Sequence, residues 1–273
     1  MDISCEKKMM FSLTIHGTRG SIPTPDLRMS KYGGNTSCFE IETDKSRVFI
    51  DAGTGFVSAD FNNDNKKVFI LFTHLHHDHI QGLLFNPRLF QKVNKILVAS
   101  ALLGGSRLRR CLTNYFSPPF FPPNVFKSLN HLNFLNFDKV CALLQKEVEV
   151  ASIDLRHPGG AVGYSFCKGK KKIIILLDNE FEKTQEADLI DFCWEADLLI
   201  WDGMFTDGEI VTKEGWGHST IEQAECFARK SNVGRVVICH HAPSRTDNEI
   251  DTINSCLSSK KVAFGVEQTK FIL

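Results

Sequence analysis

The chain has no excess of charge: its 273 residues carry 32 Lys and Arg against 32 Asp and Glu. That balance provides no whole-molecule field to collect a polyanion, so broad nucleic-acid binding is not indicated, although a local basic patch is compatible with it. Nor does any apolar run approach the ~18 residues of a membrane helix. Residues 1–8 hold neither a long apolar core nor a small-residue cleavage site. Paired CxxC cysteines are lacking too. The nine cysteines are odd in number and irregular in spacing, and Cys167, Cys193 and Cys239 lie in apolar segments, which points to reduced core residues, not to a disulfide framework. A soluble, cytoplasmic protein is the expectation. No Gly/Ser linker, low-complexity tract or tandem repeat interrupts the chain, and its densest punctuation, Ser117-Pro118-Pro119-Phe120-Phe121-Pro122-Pro123, reads as a loop. One domain over residues 1–273 is therefore expected, with an insertion around 102–135 as a lid or dimer contact.

What is present is a dense metal-binding turn. Thr73-His74-Leu75-His76-His77-Asp78-His79 follows the apolar run 68–72, and its HxHxDH order crowds His74, His76, Asp78 and His79 together at a strand end. Imidazole and carboxylate suit zinc or a similar first-row ion; the alternative is a His-rich surface turn that binds nothing. His77 is the spare histidine, facing solvent or packing. Further candidates also stand where strands run out: His157 in His-Pro-Gly-Gly, Asp178 after Ile173-Ile174-Ile175-Leu176-Leu177, and His240 after Val236-Val237-Ile238-Cys239. Singly, His157 reads as a loop histidine and Asp178 as a cap or turn residue. Their shared strand-end position favours ligands of an open, hydrolytic site over a closed structural one.

Strand signals dominate both halves. Runs at 11–16, 38–41, 48–51, 68–72 and 96–99 are rich in β-branched and aromatic residues, and a second set follows at 162–167, 173–178, 198–202 and 236–239. Helical spacing recurs at Ile221, Ala224 and Ala228, behind a capping box read as Ser219-Thr220-Ile221-Glu222, and at Ile250, Ile253 and Leu257 behind Thr246-Asp247-Asn248-Glu249. The fold class is α/β, an α+β layered sandwich of two mixed β-sheets flanked by helices, with the site on the edge the two halves share. Lys168-Gly169-Lys170-Lys171-Lys172 reads first as a hairpin turn and second as a phosphate contact.

With Gly17-Thr18-Arg19-Gly20-Ser21, Tyr32-Gly33-Gly34-Asn35-Thr36-Ser37 and Asp51-Ala52-Gly53-Thr54-Gly55 added to these ligands, the chain resembles the metallo-β-lactamase superfamily from about Leu13 to Asp251. Gly217-His218-Ser219-Thr220 and the stretch from His240 through Ala242-Pro243-Ser244-Arg245 to Asp247 narrow the likeness. They resemble the branch of tRNase Z-like enzymes and cyclic-nucleotide phosphodiesterases, including bacterial and phage anti-Pycsar-type enzymes. The resemblance implies an αββα fold and two divalent metal ions, zinc first, manganese or iron otherwise. One ion falls to His74, His76 and His157, the other to Asp78, His79 and His240, with Asp178 bridging. Two such cations acidify a shared water toward pKa ~7 and neutralise charge on a phosphate. His218 matches the branch's proton donor and Asp202 its orienting carboxylate, so the implied catalytic residues are Asp78, His218 and Asp202. The other reading of His218 is an ordinary residue at a helix start. His16 and His241 stay unassigned, and a homodimer is expected by resemblance alone.

Substrate choice rests on the segment between motifs. No Gly/Pro-rich basic arm of the long tRNase Z kind is visible. Phe116, Phe120, Phe121 and Phe126 form an aromatic piece that could cover a nucleobase, although ordinary packing or a dimer contact is the stronger reading of such a segment. The first expectation is hydrolysis of a 3′,5′-cyclic mononucleotide to the nucleoside monophosphate. Its alternatives are tRNA 3′-end endonuclease activity and a catalytically idle metal-binding regulator.

Overall fold

Alternation within the strands decides the layering. In Val48-Phe49-Ile50, Val68-Phe69-Ile70-Leu71 and Ile173-Ile174-Ile175-Leu176, successive side chains enter different apolar clusters: Val48, Ile50, Phe69, Leu71, Ile173 and Ile175 meet between two sheets. Phe49, Val68 and Ile70 pack on the outer face of the first sheet, and Ile174 and Leu176 on that of the second. A strand buried on both faces reads as a continuous apolar run, which is what these segments are.

The computed structural model describes residues 10–61, 65–91, 95–123 and 125–273, apart from the side chain of Lys127. The reading of residues 1–8 as free of a leader, and Cys5 with it, lies outside the described residues. In chain order the strands are β1 (Phe11–Gly17), β2 (Cys38–Thr43), β3 (Ser46–Ile50), β4 (Lys67–Leu71), β5 (Ile96–Ala99), β6 (Leu132–Phe134), β7 (Glu149–Leu155), β8 (Ala161–Lys168), β9 (Lys171–Leu176), β10 (Leu198–Asp202), β11 (Arg235–Cys239), β12 (Val262–Phe264) and β13 (Lys270–Ile272). The helices are α1 (His77–Ile80), α2 (Pro87–Gln91), α3 (Gly105–Tyr115), α4 (Phe137–Leu144), α5 (Glu186–Cys193), α6 (Asp207–Ile210), α7 (Ile221–Lys230) and α8 (Asp247–Cys256).

One sheet runs β13-β1-β2-β3-β4-β5-β6 and the other β12-β11-β10-β9-β8-β7. Both follow one plan. An antiparallel part (β13 to β3; β7 to β9) continues into a parallel part (β3 to β6; β9 to β12). Ligands after β4, β9 and β11 thus leave parallel strands at their carboxyl ends, the usual place for sites in α/β sheets. Helix α3 covers the first sheet with Leu108 and Leu112, and α7 the second with Ile221, Ala224, Phe227 and Ala228. The α/β sandwich of two mixed sheets flanked by helices is the observed architecture.

Some details differ from the sequence reading and others agree with it. The box at α7 uses Thr220 and Gln223, one residue later than Ser219 and Glu222. Its physical reason is that the Ser219 hydroxyl is engaged by the Asn179 carbonyl and so does not face the helix start. The Thr246 and Glu249 box stands as read. Phe116 and Phe126 lie buried in parallel stacking at 5.9 Å, and segment 102–135 contributes α3 and β6 to the layers. Gly169 and Lys170 turn the hairpin between β8 and β9. All eight described cysteines are free, with Cys38, Cys193 and Cys239 buried.

Candidate metal centre

Three of the site residues sit in backbone that L-residues rarely adopt. Asp51, Asp178 and His240 follow β3, β9 and β11 with φ of 62°, 51° and 60°. Each costs on the order of 1–3 kcal/mol unless its surroundings hold it there, so a shared local task is the economical reason for all three. That left-handed step turns each side chain off its strand end toward the turn at His74.

The seven candidate ligands converge. His74, His76 and His157 form one group whose donor atoms lie within 4.8 Å of one another, and Asp78, His79 and His240 form a second under the same limit. Asp178 stands between them with one oxygen toward each. Its Oδ2 is 3.7 Å from Nε2 of both His74 and His157, and its Oδ1 is 3.1 Å from His79 Nε2 and 3.3 Å from His240 Nε2. Further groups of the same kind join His157, Asp178 and His218, and Asp202, His218 and His240. The exposed His77 is no part of these groups; its Nδ1 meets the Tyr115 hydroxyl.

Partners on the far side of each ring aim the inner nitrogen. His79 Nδ1 bonds Asp51 Oδ2 at 2.7 Å, His74 Nδ1 bonds Thr73 Oγ1 at 3.1 Å, and His157 Nδ1 bonds the Gly217 carbonyl at 2.8 Å. Such contacts set tautomer and ring direction in metal sites. Nε2 of His74, Nε2 of His79 and Oδ1 of Asp178 are then buried without a hydrogen-bond partner, a costly arrangement for polar atoms. His76 Nδ1 and His157 Nε2 face each other at 2.9 Å. Nitrogens, carboxylate oxygens and their shared orphaned state fit divalent cations.

Electrostatics divide the two groups of histidines. Burial pushes the imidazoles of His74, His76 and His157 below their ordinary value, leaving them neutral as a ligand must be. Burial by itself raises the Asp78 and Asp178 carboxyls, but His79 and His240 outweigh it and hold both below the usual carboxylate range. Conversely, Asp178 and Asp78 overcome burial at His79, driving it well up, and with Asp202 they hold His240 at about 9. Asp51, Asp78, Asp178 and Asp202 are all buried, and among the described residues their ion-pair partners are histidines. Buried anions at this density call for cations.

At the rim, His218 Nδ1 bonds Asp202 Oδ2 at 2.9 Å, and its ring stacks on His240 with centroids 5.0 Å apart. Asp202 is itself held by the backbone N–H groups of Asn179 and Met204. A family model described as Beta-lactamase superfamily domain matches residues 46–241, a span that includes every one of these side chains. The chain belongs to the beta-lactamase superfamily.

Within that superfamily the chain is similar to proteins named Ribonuclease Z. A Ribonuclease Z of Clostridioides difficile is 24% identical over 286 residues, covering 86% of this chain and 89% of that one. A Ribonuclease Z of Bradyrhizobium diazoefficiens is 32% identical over 82 residues, so the chain spans only 26% of that relative's length. Among solved structures, the metallo-beta-lactamase fold protein YhfI of Bacillus subtilis superposes with a TM-score of 0.70 at 15% identity, covering 97% of this chain and 100% of that one. A diphosphatase of the PhnP family reaches a TM-score of 0.70 at 17% identity, over 97% and 98%. At such identities the two structures speak for the fold.

Two supporting residues of this superfamily site were not singled out from the sequence. Asp51 stood in a quoted motif, and the strand-end rule that picked Asp178 applies equally to it. Glu180 offered no signal. Its carboxylate accepts from the N–H groups of Gly215 (3.0 Å) and Gly217 (2.9 Å), while its own N–H bonds the Arg156 carbonyl. It thereby ties the backbone beside His157 to the loop that bonds His157 and leads into His218. The fit is tight: at Gly217, φ is 82° and an added Cβ would stand 2.1 Å from His157 Nδ1. Glu180→Ala is expected to weaken metal affinity about tenfold, the scale of lost orienting contacts, and Glu180→Gln to restore part of it, measured by competition with a chromogenic chelator. Unaltered affinity in Glu180→Ala would leave the residue a surface contact only.

Proposed function

We propose that this protein hydrolyses a phosphodiester, in first place a 3′,5′-cyclic mononucleotide, to the nucleoside monophosphate. The observation that carries the reading is the division of the Asp178 oxygens between two donor groups, with the His218 and Asp202 pair beside them. We assign one cation to His74, His76 and His157 and a second to Asp78, His79 and His240, with Asp178 shared, and zinc as the metal. When bound, two such ions supply an acidified water and neutralise phosphate charge. The protein does the rest. Asp202, fixed by two backbone donors, holds His218 by Nδ1, which leaves Nε2 to deliver a proton to the departing oxygen. Stacking on His240 keeps that ring beside the donor cluster.

One feature favours a small ester over a folded RNA, a formal net charge of zero. One observation favours tRNA 3′-end cleavage as the second reading, namely the match to a Ribonuclease Z over 86% of the chain. Purified protein should open at least one cyclic mononucleotide and lose that turnover in EDTA, with recovery on adding zinc. Trimming of unprocessed tRNA without turnover of any cyclic nucleotide would transfer the assignment to the second reading. A homodimer accompanies the proposal on resemblance, and sedimentation equilibrium reads it directly.

A further inference from the structure

The chain beyond β1 crosses from one sheet to the other at the edge that holds the donor groups. Arg19 pairs on one side with Thr36, which leads into β2, and on the other with His241, which lies beyond β11. Its guanidinium is fully buried and bonds carbonyl oxygens: Nε donates to Gly33 at 2.7 Å, and Nη1 to Arg245 at 2.6 Å and Ala242 at 3.1 Å. Nη2 has no partner, and among the described residues no carboxylate forms an ion pair with Arg19. A cation kept from water in this way is costly, more than an ordinary loop calls for. Backbone bonds fix the same crossing: Arg19 donates to Asn35, Gly20 to His241, and His241 back to Thr18, at 2.8, 3.0 and 2.9 Å.

The next two residues meet the second donor group. An added Cβ at Gly20 would stand 2.5 Å from Nδ1 and Cε1 of His240, so the backbone there closes on that ring. Ser21, at φ 63°, donates its N–H to Asp78 Oδ2 at 2.7 Å. A serine in left-handed backbone is uncommon and marks a segment held by its surroundings. We infer that Arg19 is a positioning residue for the cation assigned to Asp78, His79 and His240: it holds Gly20 against the His240 ring and the Ser21 N–H on the Asp78 carboxylate. The inference rests on that assignment. It adds that the site is braced from both sheets, so that ligand direction depends on a side chain that bonds neither ligand. Contacts of this outer kind govern how tightly a centre holds its metal.

The test is stepwise removal of metal from the cobalt(II)-loaded protein by a competing chelator, followed by visible absorption. Wild type should hold two equivalents. Gly20→Ala, which keeps the guanidinium, and Arg19→Met, which removes it, should each weaken one equivalent about tenfold or more and leave the other at its wild-type affinity. Arg19→Lys should recover part of the loss, and Ser21→Gly, which keeps the N–H, should bind as wild type does. In an Asp78→Ala background, neither Gly20→Ala nor Arg19→Met should alter the equivalent that remains. Should Arg19→Met fail to fold, Arg19→Lys is read against wild type in its place, since an ammonium lacks the guanidinium fork and still loosens the same equivalent. Unaltered affinities in Gly20→Ala and in the Arg19 variants would overturn the inference. So would an equal loss at both equivalents, the mark of a general structural tie. Fewer than two equivalents in wild type would overturn the two-cation reading itself, and the inference with it.

Discussion

Asp78→Ala is expected to lose metal and activity together: about one equivalent of metal per chain should disappear from elemental analysis, and turnover should fall on the order of 10³-fold, since two-cation chemistry needs both ions. Asp78 Oδ2 lies 3.2 Å from His240 Nε2 and 3.4 Å from His79 Nε2, and accepts the Ser21 N–H at 2.7 Å. Its removal leaves both imidazoles with Asp178 as their one shared inner carboxylate. Asp78→Asn separates charge from packing, because it keeps the volume and a hydrogen-bond acceptor for Ser21. If charge is what matters, Asp78→Asn loses metal as Asp78→Ala does. Full metal content with normal turnover in both variants would exclude Asp78 from the centre.

His218→Ala should behave differently. Metal content should stay at the wild-type level, because Nδ1 of His218 is committed to Asp202 and all seven assigned ligands remain. Turnover should drop ~10²-fold or more, the ordinary share of a general acid. A leaving group that departs without a proton gives a sharper reading: with p-nitrophenyl esters the deficit should shrink markedly, whereas an alkoxide leaving group should show it in full. A deficit independent of the leaving group would make His218 a packing residue for His240 instead of a proton donor. Wild-type turnover would remove it from the mechanism altogether.

Legibility along the chain followed burial. Strands covered on both faces, such as β4, β9 and β10, stood out as apolar runs because every position needs an apolar residue. Strand β7 did not. Its residues Glu149-Val150-Ala151-Ser152-Ile153-Asp154-Leu155 leave one fully buried position, Leu155, on an edge of the sheet, so neither alternation nor a run marks it. Helix α3 buries only Leu108 and Leu112 beyond its first glycine, amid Arg107, Arg109 and Arg110. The short β12 depends on pairing with β11 across α8, and β13 on pairing with β1 at the other end of the chain.

The sequence by itself determined the donor chemistry: which imidazoles and carboxylates stand at strand ends, and that their kind suits a first-row cation. Residue type and local periodicity are properties of neighbours along the chain. Only the tertiary structure decided that His240 meets Asp78 across 162 residues of sequence, that Asp178 divides its oxygens between two groups, and that Glu180 braces the loop before His218. Those contacts arise from how two sheets pack face to face, and packing is set by the whole set of buried side chains at once, which no single segment encodes.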